Sequence, residues 1–295
     1  MSGGILLLDK PQGLSSNAAL QRVRHAFGRI KGGHTGALDP LATGMLPLCL
    51  GEATKVAGDL LDGRKIYTFT ARLGARTSTG DAEGPVVETA PVPADAANLL
   101  REAAAGMLGT SQQVPPMYSA LKRDGQPLYQ LARQGIEVER APRTIDIRSL
   151  QLLGAEGADT HWRVDCSKGT YVRVLAEDLA ARIGTVAHLV ALRRESVEPF
   201  DGYPMVTLDQ VLRDPGAVAL LPADAALPQL PAVTLDDSLV GRLRHGQAVE
   251  VTGVAVAARV RVYGPDGRFV GLGEVQAGGI LHPRRIFNES PVHLT

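Results

Sequence analysis

Ile5-Leu-Leu-Leu-Asp9 is a short apolar run ending at Lys10-Pro11, which predicts a buried strand entering a turn. Ser15, Ser16 or Asn17 can cap a helix running to about Phe27, with Leu20, Val23 and Phe27 along one side. Leu46 to Leu50 predicts a second short buried strand, and Glu52 to Leu61 a helix. Lys65 to Leu73 alternates apolar and polar positions, as a half-buried strand does. Thr77 to Pro85 is a polar loop holding Asp81 and Glu83, and Ala94 to Met107 is helical by composition and spacing. Trp162 to Cys166 predicts a strand, Ser167 to Thr170 a turn, and Tyr171 to Ile183 a helix, with Leu189 to Arg194 following a Gly-containing break. Strands and helices mix without steady βαβ alternation, which favours an α+β fold over a doubly wound one. Leu221 to Pro231, rich in Pro and Ala, predicts a linker. Beyond it, Ala255 to Tyr263, Phe269 to Val275 and Gly278 to Phe287 are short strands between Gly/Pro turns, a small β-rich module.

The 295 residues suit one large domain and a small one, or two of similar size. A hydrophobic content of 44% supports a sizeable core. No N-terminal segment has signal-peptide order, and the run at Ile5 is far too short to span a bilayer. Cys49 and Cys166 form no CxxC pair and no zinc-ligand spacing, so a cytoplasmic protein with reduced thiols is expected. Lys+Arg and Asp+Glu are both 31, so the chain lacks the basic excess common among nucleic-acid binders. Affinity for phosphate depends on where the cations lie, however. Pro115 to Arg143 is locally basic, with Lys122, Arg123, Arg133, Arg140 and Arg143 around Tyr118 and Tyr129, and looks like an excursion from the core.

Gly33-His-Thr-Gly-Ala-Leu-Asp-Pro-Leu-Ala-Thr-Gly44 carries the most information. Its glycines and Pro40 break helix and strand alike, leaving a tightly turned loop with Asp39 near its middle. Pro40 pushes Asp39 towards extended backbone. Such a loop can present one acid at a fixed place in a cleft, although a surface turn in which the Asp caps local amides is the commoner fate of an isolated Asp in a Gly-rich loop.

This loop, with Lys10-Pro11, Tyr67, Lys168-Gly-Thr-Tyr-Val-Arg173 and Leu192-Arg193-Arg194, resembles the TruB family of tRNA pseudouridine synthases from about Ile5 to Phe287. The long segments GHTGALDPLATGMLPLCLGEATK and CSKGTYVRVLAEDL occur in the family's order. The resemblance implies a catalytic domain over 1–230 on a mixed, mainly antiparallel sheet, with a thumb insertion at 115–143 that contacts RNA. It also implies a PUA-like RNA-binding domain over 231–295.

The implied activity is isomerisation of uridine 55 in the tRNA T loop, in which the N1–C1′ bond breaks and C5 rejoins C1′. Asp39 would be the essential carboxylate, acting at C1′, at C6 or on the C2′ proton, with neither metal nor organic cofactor. Arg173 would hold Asp39 ionised against burial, with Asp81 steadying Arg173. Tyr67 would stack on the flipped base and serve in proton transfer at C5. Tyr171 would be a second pocket tyrosine, and Leu192 would close the pocket. His34 would fill the place vacated by the extruded base. Lys10 would support the loop, near RNA. Lys122 and Arg133 on the thumb, and Arg284 and Arg285 on the small module, would meet phosphates. The expected partner is the tRNA T arm, with no obligate protein partner and a monomeric chain. Two rivals share parts of this pattern: an RNA-folding module whose catalysis is incidental, and a guide-RNA-dependent synthase, which would lack the thumb.

Overall fold

A computed structural model describes residues 3–123 and 125–288. Among them, nine strands form one mixed sheet. Its order is Val206–Thr207, Gly3–Lys10, Thr43–Gly51, Ala187–Val197, Lys65–Leu73, Asp159–Cys166, Arg143–Glu156 and Gly109–Gln113, and Gly32–His34 pairs with Thr43–Gly51 off this path. Two pairings are parallel, Leu8 with Val206 and Arg193 with Thr43, and the remainder are antiparallel. The fold is α+β.

Burial explains the two kinds of strand pattern. Gly3–Lys10 and Thr43–Gly51 are covered on both faces. Leu6, Leu8, Leu46 and Leu48 meet the helix Ser16–Ala26 through Leu20 and Val23, while Ile5, Leu7, Met45 and Cys49 meet Val56, Leu60, Phe200 and Leu227 on the other side. A strand buried on both faces reads as a continuous apolar run. Lys65–Leu73 and Asp159–Cys166 bury alternate residues only, and there the sequence alternates. Phe69 and Trp162, cross-strand partners, stack at 6.1 Å under the helices Ala96–Ala105 and Val172–Arg182.

The structure corrects three expectations. The Gly33–Gly44 segment is not loop throughout: Gly33 and His34 lie in the strand Gly32–His34, and Thr43 and Gly44 open the strand Thr43–Gly51. Glu52 to Leu61 is not an α-helix but two 3₁₀ turns, Glu52–Val56 and Asp59–Leu61, separated at Gly58. Its apolar spacing places Ala53, Val56 and Leu60 in the core, but Gly58 weakens a continuous helix there. Residues 221–231 are not a free linker either. Leu221 exchanges backbone hydrogen bonds with Ile5 at 2.8 and 2.9 Å, and Ala226 and Leu227 are buried.

The C-terminal residues form a five-stranded sheet, Ala232–Thr234, Ala257–Tyr263, Phe269–Gln276, Ile280–Ile286 and Val249–Glu250 in that order. It packs on the large sheet through Leu272 and Phe287, which join the cluster around Ile5 and Leu7. Residues 1–2, 124 and 289–295, which belong to the expected domains and thumb, lie outside the described residues. No described helix is long and apolar enough to cross a membrane.

Candidate active site

The Asp39 loop is braced from three sides. Ser16 Oγ accepts from Leu38 N–H at 2.7 Å and donates to Leu38 C=O at 3.0 Å, fixing the residue before the carboxylate. Lys10 Nζ donates to Pro11 O and Leu14 O at 2.9 and 2.6 Å, shaping a turn whose Gly13 N–H reaches Pro40 O at 2.8 Å. Arg194 donates through Nη2 to Gly36 O and through Nε to Met45 O, at 2.9 and 2.7 Å. Glycine is required at residue 44, which has φ +97°, because a Cβ there would lie 2.2 Å from Arg194 O.

Asp39 faces Arg173, with Oδ2 at 3.0 Å from Nε. Arg173 opens the helix Val172–Arg182, and its side chain is 5% exposed against 40% for Asp39. Its other two nitrogens each donate to a backbone carbonyl: Nη1 to Thr79 O at 2.7 Å and Nη2 to Tyr118 O at 2.6 Å. One planar fork thus ties the acidic loop, the Thr79–Asp81 turn and the root of the 115–143 segment together. Asp81 stands behind it, its Oδ2 3.9 Å from Arg173 Nε, while Oδ1 accepts from Thr79 Oγ1 at 2.6 Å and Glu83 N–H at 3.1 Å.

Although 40% exposed, the Asp39 side chain opens into the cavity and not to bulk water, and the surrounding protein pushes its carboxyl above the ordinary aspartate value; Arg173 pulls it down, Asp81 pushes it up, and Lys10 pulls it down. Burial lowers Lys10 to about 8. The Tyr67 phenol is raised by burial, with the Arg194 guanidinium against it opposing the rise. Burial raises Tyr171 too. Gln113 grips the Tyr171 backbone, accepting from its N–H at 2.8 Å and donating to its C=O at 3.2 Å.

Asp39, Tyr67, Tyr171, Arg173 and Leu192 line one cavity of about 920 Å³, within the size range of ligand pockets. Arg194 and Lys65 line it as well. The other expected site residues lie elsewhere. His34 ends the strand Gly32–His34 at the base of the loop, its Nδ1 buried without a partner among the described residues and its pKa lowered by burial and then by Arg194. Lys10 is fully buried, and its ammonium braces the loop from within. Lys122 sits in a two-residue strand, and Arg133 ends the short helix Leu128–Arg133, stacked on Tyr129 at 5.5 Å. Both are exposed. Arg284 is paired with Glu274, and Arg285 donates to Lys55 O. Those two cations are committed within the protein, so a phosphate would have to compete for them.

Sequence reasoning passed over Ser16, Gln113, Arg194 and Lys65. Ser16 carried a signal only as a helix cap, and Arg194 only as part of the Leu192–Arg194 segment. No group of three or more His, Cys, Asp or Glu side chains that could hold a metal occurs among the described residues.

Three models of one family together match residues 24–227 and 231–287. The N-terminal domain model of the TruB family pseudouridylate synthases matches residues 24–172. The tRNA pseudouridylate synthase B C-terminal domain model matches 173–227, and the C-terminal model of pseudouridine synthase II TruB matches 231–287. The chain is 52% identical over 286 residues to the tRNA pseudouridine synthase B of Aromatoleum aromaticum, spanning 96% of this chain and 92% of that one. It is 50% identical over 292 residues to the Burkholderia mallei protein of the same name, spanning 96% of each. Among solved structures it resembles a chain from a Cbf5-Nop10-Gar1 complex, with TM-score 0.71 and 25% identity over 97% of this chain and 85% of that one.

Proposed function

We infer that this chain, which belongs to the TruB family and isomerises uridine to pseudouridine in tRNA, acts on uridine 55 of the T loop with Asp39 as its essential carboxylate. The observation that carries the assignment is the Asp39–Arg173 pair, 3.0 Å apart on the wall of a cavity that also presents Tyr67 and Tyr171.

The target base is extruded, because C1′ and C5 cannot be reached inside a folded loop, and extrusion costs a few kcal/mol. Tyr67 offers a stacking face that returns part of this, and His34 occupies the vacated place. Leu192 closes the pocket and keeps water out. Arg173 keeps Asp39 ionised and aimed. With its carboxylate ready, Asp39 attacks C1′ or C6, or takes the C2′ proton; the N1–C1′ bond opens, the ring turns, C5 joins C1′, and C5 gives up its proton.

The 115–143 segment clamps the T arm with Lys122 and Arg133. Residues 231–295 act as a PUA-like domain beside the catalytic domain of 1–230, in a monomer working in the cytoplasm without an obligate partner. The likeness to the Cbf5 chain favours a second reading, action within a protein assembly. The basic 115–143 segment and the relatives at about 50% identity favour the stand-alone enzyme.

Purified chain and an unmodified tRNA transcript test both points. Tritium release from C5-labelled uridine, lost when uridine 55 is replaced by cytidine, supports the stand-alone reading. Release that survives the replacement moves the target elsewhere, and release only after addition of cell extract favours the assembly.

A further inference from the structure

Lys65 is 6% exposed and shares a strand face with Tyr67, two positions on; both side chains line the cavity. Its Nζ donates to Leu61 O and Gly63 O at 2.8 and 2.6 Å, and its third N–H has no partner among the described residues. Arg194, cross-strand partner of Tyr67, is 1% exposed and lines the same cavity, donating to the carbonyls of Met45 and Gly36 and hydrogen-bonded to the Tyr67 hydroxyl. Among the described residues neither cation is ion-paired with a carboxylate, whereas Arg173 is paired with Asp39. The wall around Tyr67 therefore carries two buried positive charges without a counter-ion from the described chain. Buried charges are costly unless paired, so such a wall suits an anion supplied by the ligand.

We propose that Lys65, backed by Arg194, is a catalytic residue that stabilises the negative charge acquired by the uracil ring during the reaction. The inference rests on reading the cavity as the uridine site. Whichever way Asp39 acts, charge reaches the ring carbonyls. Attack at C1′ or removal of the C2′ proton sends the N1–C1′ electron pair into the ring, spreading charge over N1, O2 and O4. Addition at C6 sends the C5=C6 pair to O4. The charge is discharged when C5 bonds to C1′ and Asp39 is released or returns its proton to C2′. C5 then loses its proton and N1 gains one, so no atom is gained or lost overall. Burial holds Lys65 at about 8, with Arg194 and Lys168 pushing the same way and Cys166 and Asp62 opposing. The ammonium is still mostly charged at pH 7.

Single-turnover tritium release at saturating tRNA, with tRNA Kd measured alongside, tests this. Lys65→Gln should slow release about 10²-fold, the usual effect of removing one charge-stabilising donor, with Kd within about twofold. Lys65→Arg keeps the charge and should recover most of the rate. The ratio of kcat/KM for Lys65→Arg to wild type should rise about tenfold from pH 7 to 9, because only the lysine discharges over that interval. Lys10 titrates alike in both proteins and cancels in the ratio. That ratio decides the matter if Lys65→Gln fails to fold. A flat ratio, or a normal rate in Lys65→Gln, overturns the proposal. So does weaker binding with a shallower salt dependence and an unchanged saturating rate, which would assign the cation to a backbone phosphate. If wild type itself releases no tritium, the uridine-site reading fails; release by wild type and both variants alike overturns this inference alone.

Discussion

Arg173→Lys keeps the positive charge and removes the fork. In the native protein the guanidinium makes three charge-assisted bonds, to Asp39 Oδ2 at 3.0 Å, Thr79 O at 2.7 Å and Tyr118 O at 2.6 Å. A lysine ammonium on a narrower reach cannot span all three acceptors. If it keeps Asp39, two half-buried carbonyls lose their donor; water can reach them in part, so the loss of stability is expected to be about 1–3 kcal/mol in total. If it turns to the carbonyls, Asp39 loses the cation that opposes burial, and its carboxyl rises further. Either outcome misplaces the carboxylate or neutralises it. A rate loss of about 10²-fold, equal to about 2.7 kcal/mol, follows for the chemical step. In the second outcome the acid limb of the pH–rate profile should also move to higher pH, since the ionised fraction of Asp39 is lost as pH falls through its folded value. Single-turnover tritium release from pH 5 to 8, with thermal denaturation in parallel, measures both effects. A variant with wild-type rate, acid limb and Tm would refute the role assigned to the fork.

Other expectations follow from the same geometry. Gly44→Ala should lower Tm severely or prevent folding, because its Cβ would fall 2.2 Å from a backbone oxygen at φ +97°; a wild-type melting curve would contradict the crowding argument. Lys122→Gln with Arg133→Gln should weaken tRNA binding and flatten the dependence of log K on log salt by about 1.4 to 1.8, leaving the saturating rate intact; an unchanged slope would take both residues off the RNA.

The acidic loop was legible because its chemistry is written in sequence-local terms: Gly at the turns, Pro after Asp, one carboxylate. Part of the large sheet was legible for a similar reason, since Ile5–Leu8 and Leu46–Leu50 are apolar on both faces and Lys65–Leu73 on one; its longest strand, Arg143–Glu156, and the edge strands Gly109–Gln113 and Val206–Thr207 escaped reading. What else escaped is tertiary. Ser16 looks like a helix cap until its hydroxyl is seen on the backbone of Leu38, 22 positions away. Arg194 reads as a strand cation, yet it is buried because the carbonyls of Gly36 and Met45 need its donors. Residues 221–231 have linker composition, and only the packing of Leu227 with Leu272 and Phe287 makes them core. Arg284 and Arg285 read as free cations because Glu274 and the Lys55 carbonyl reach them across strands and modules.

The central claim is that Asp39 does the chemistry and is dispensable for holding the RNA. The measurement that tests it most directly is tritium release from C5-labelled uridine in an unmodified tRNA transcript by wild type and Asp39→Ala, with tRNA binding measured on both. Release by wild type and none by Asp39→Ala, at comparable tRNA affinity, is the predicted result; release by the Asp39→Ala protein would contradict the account.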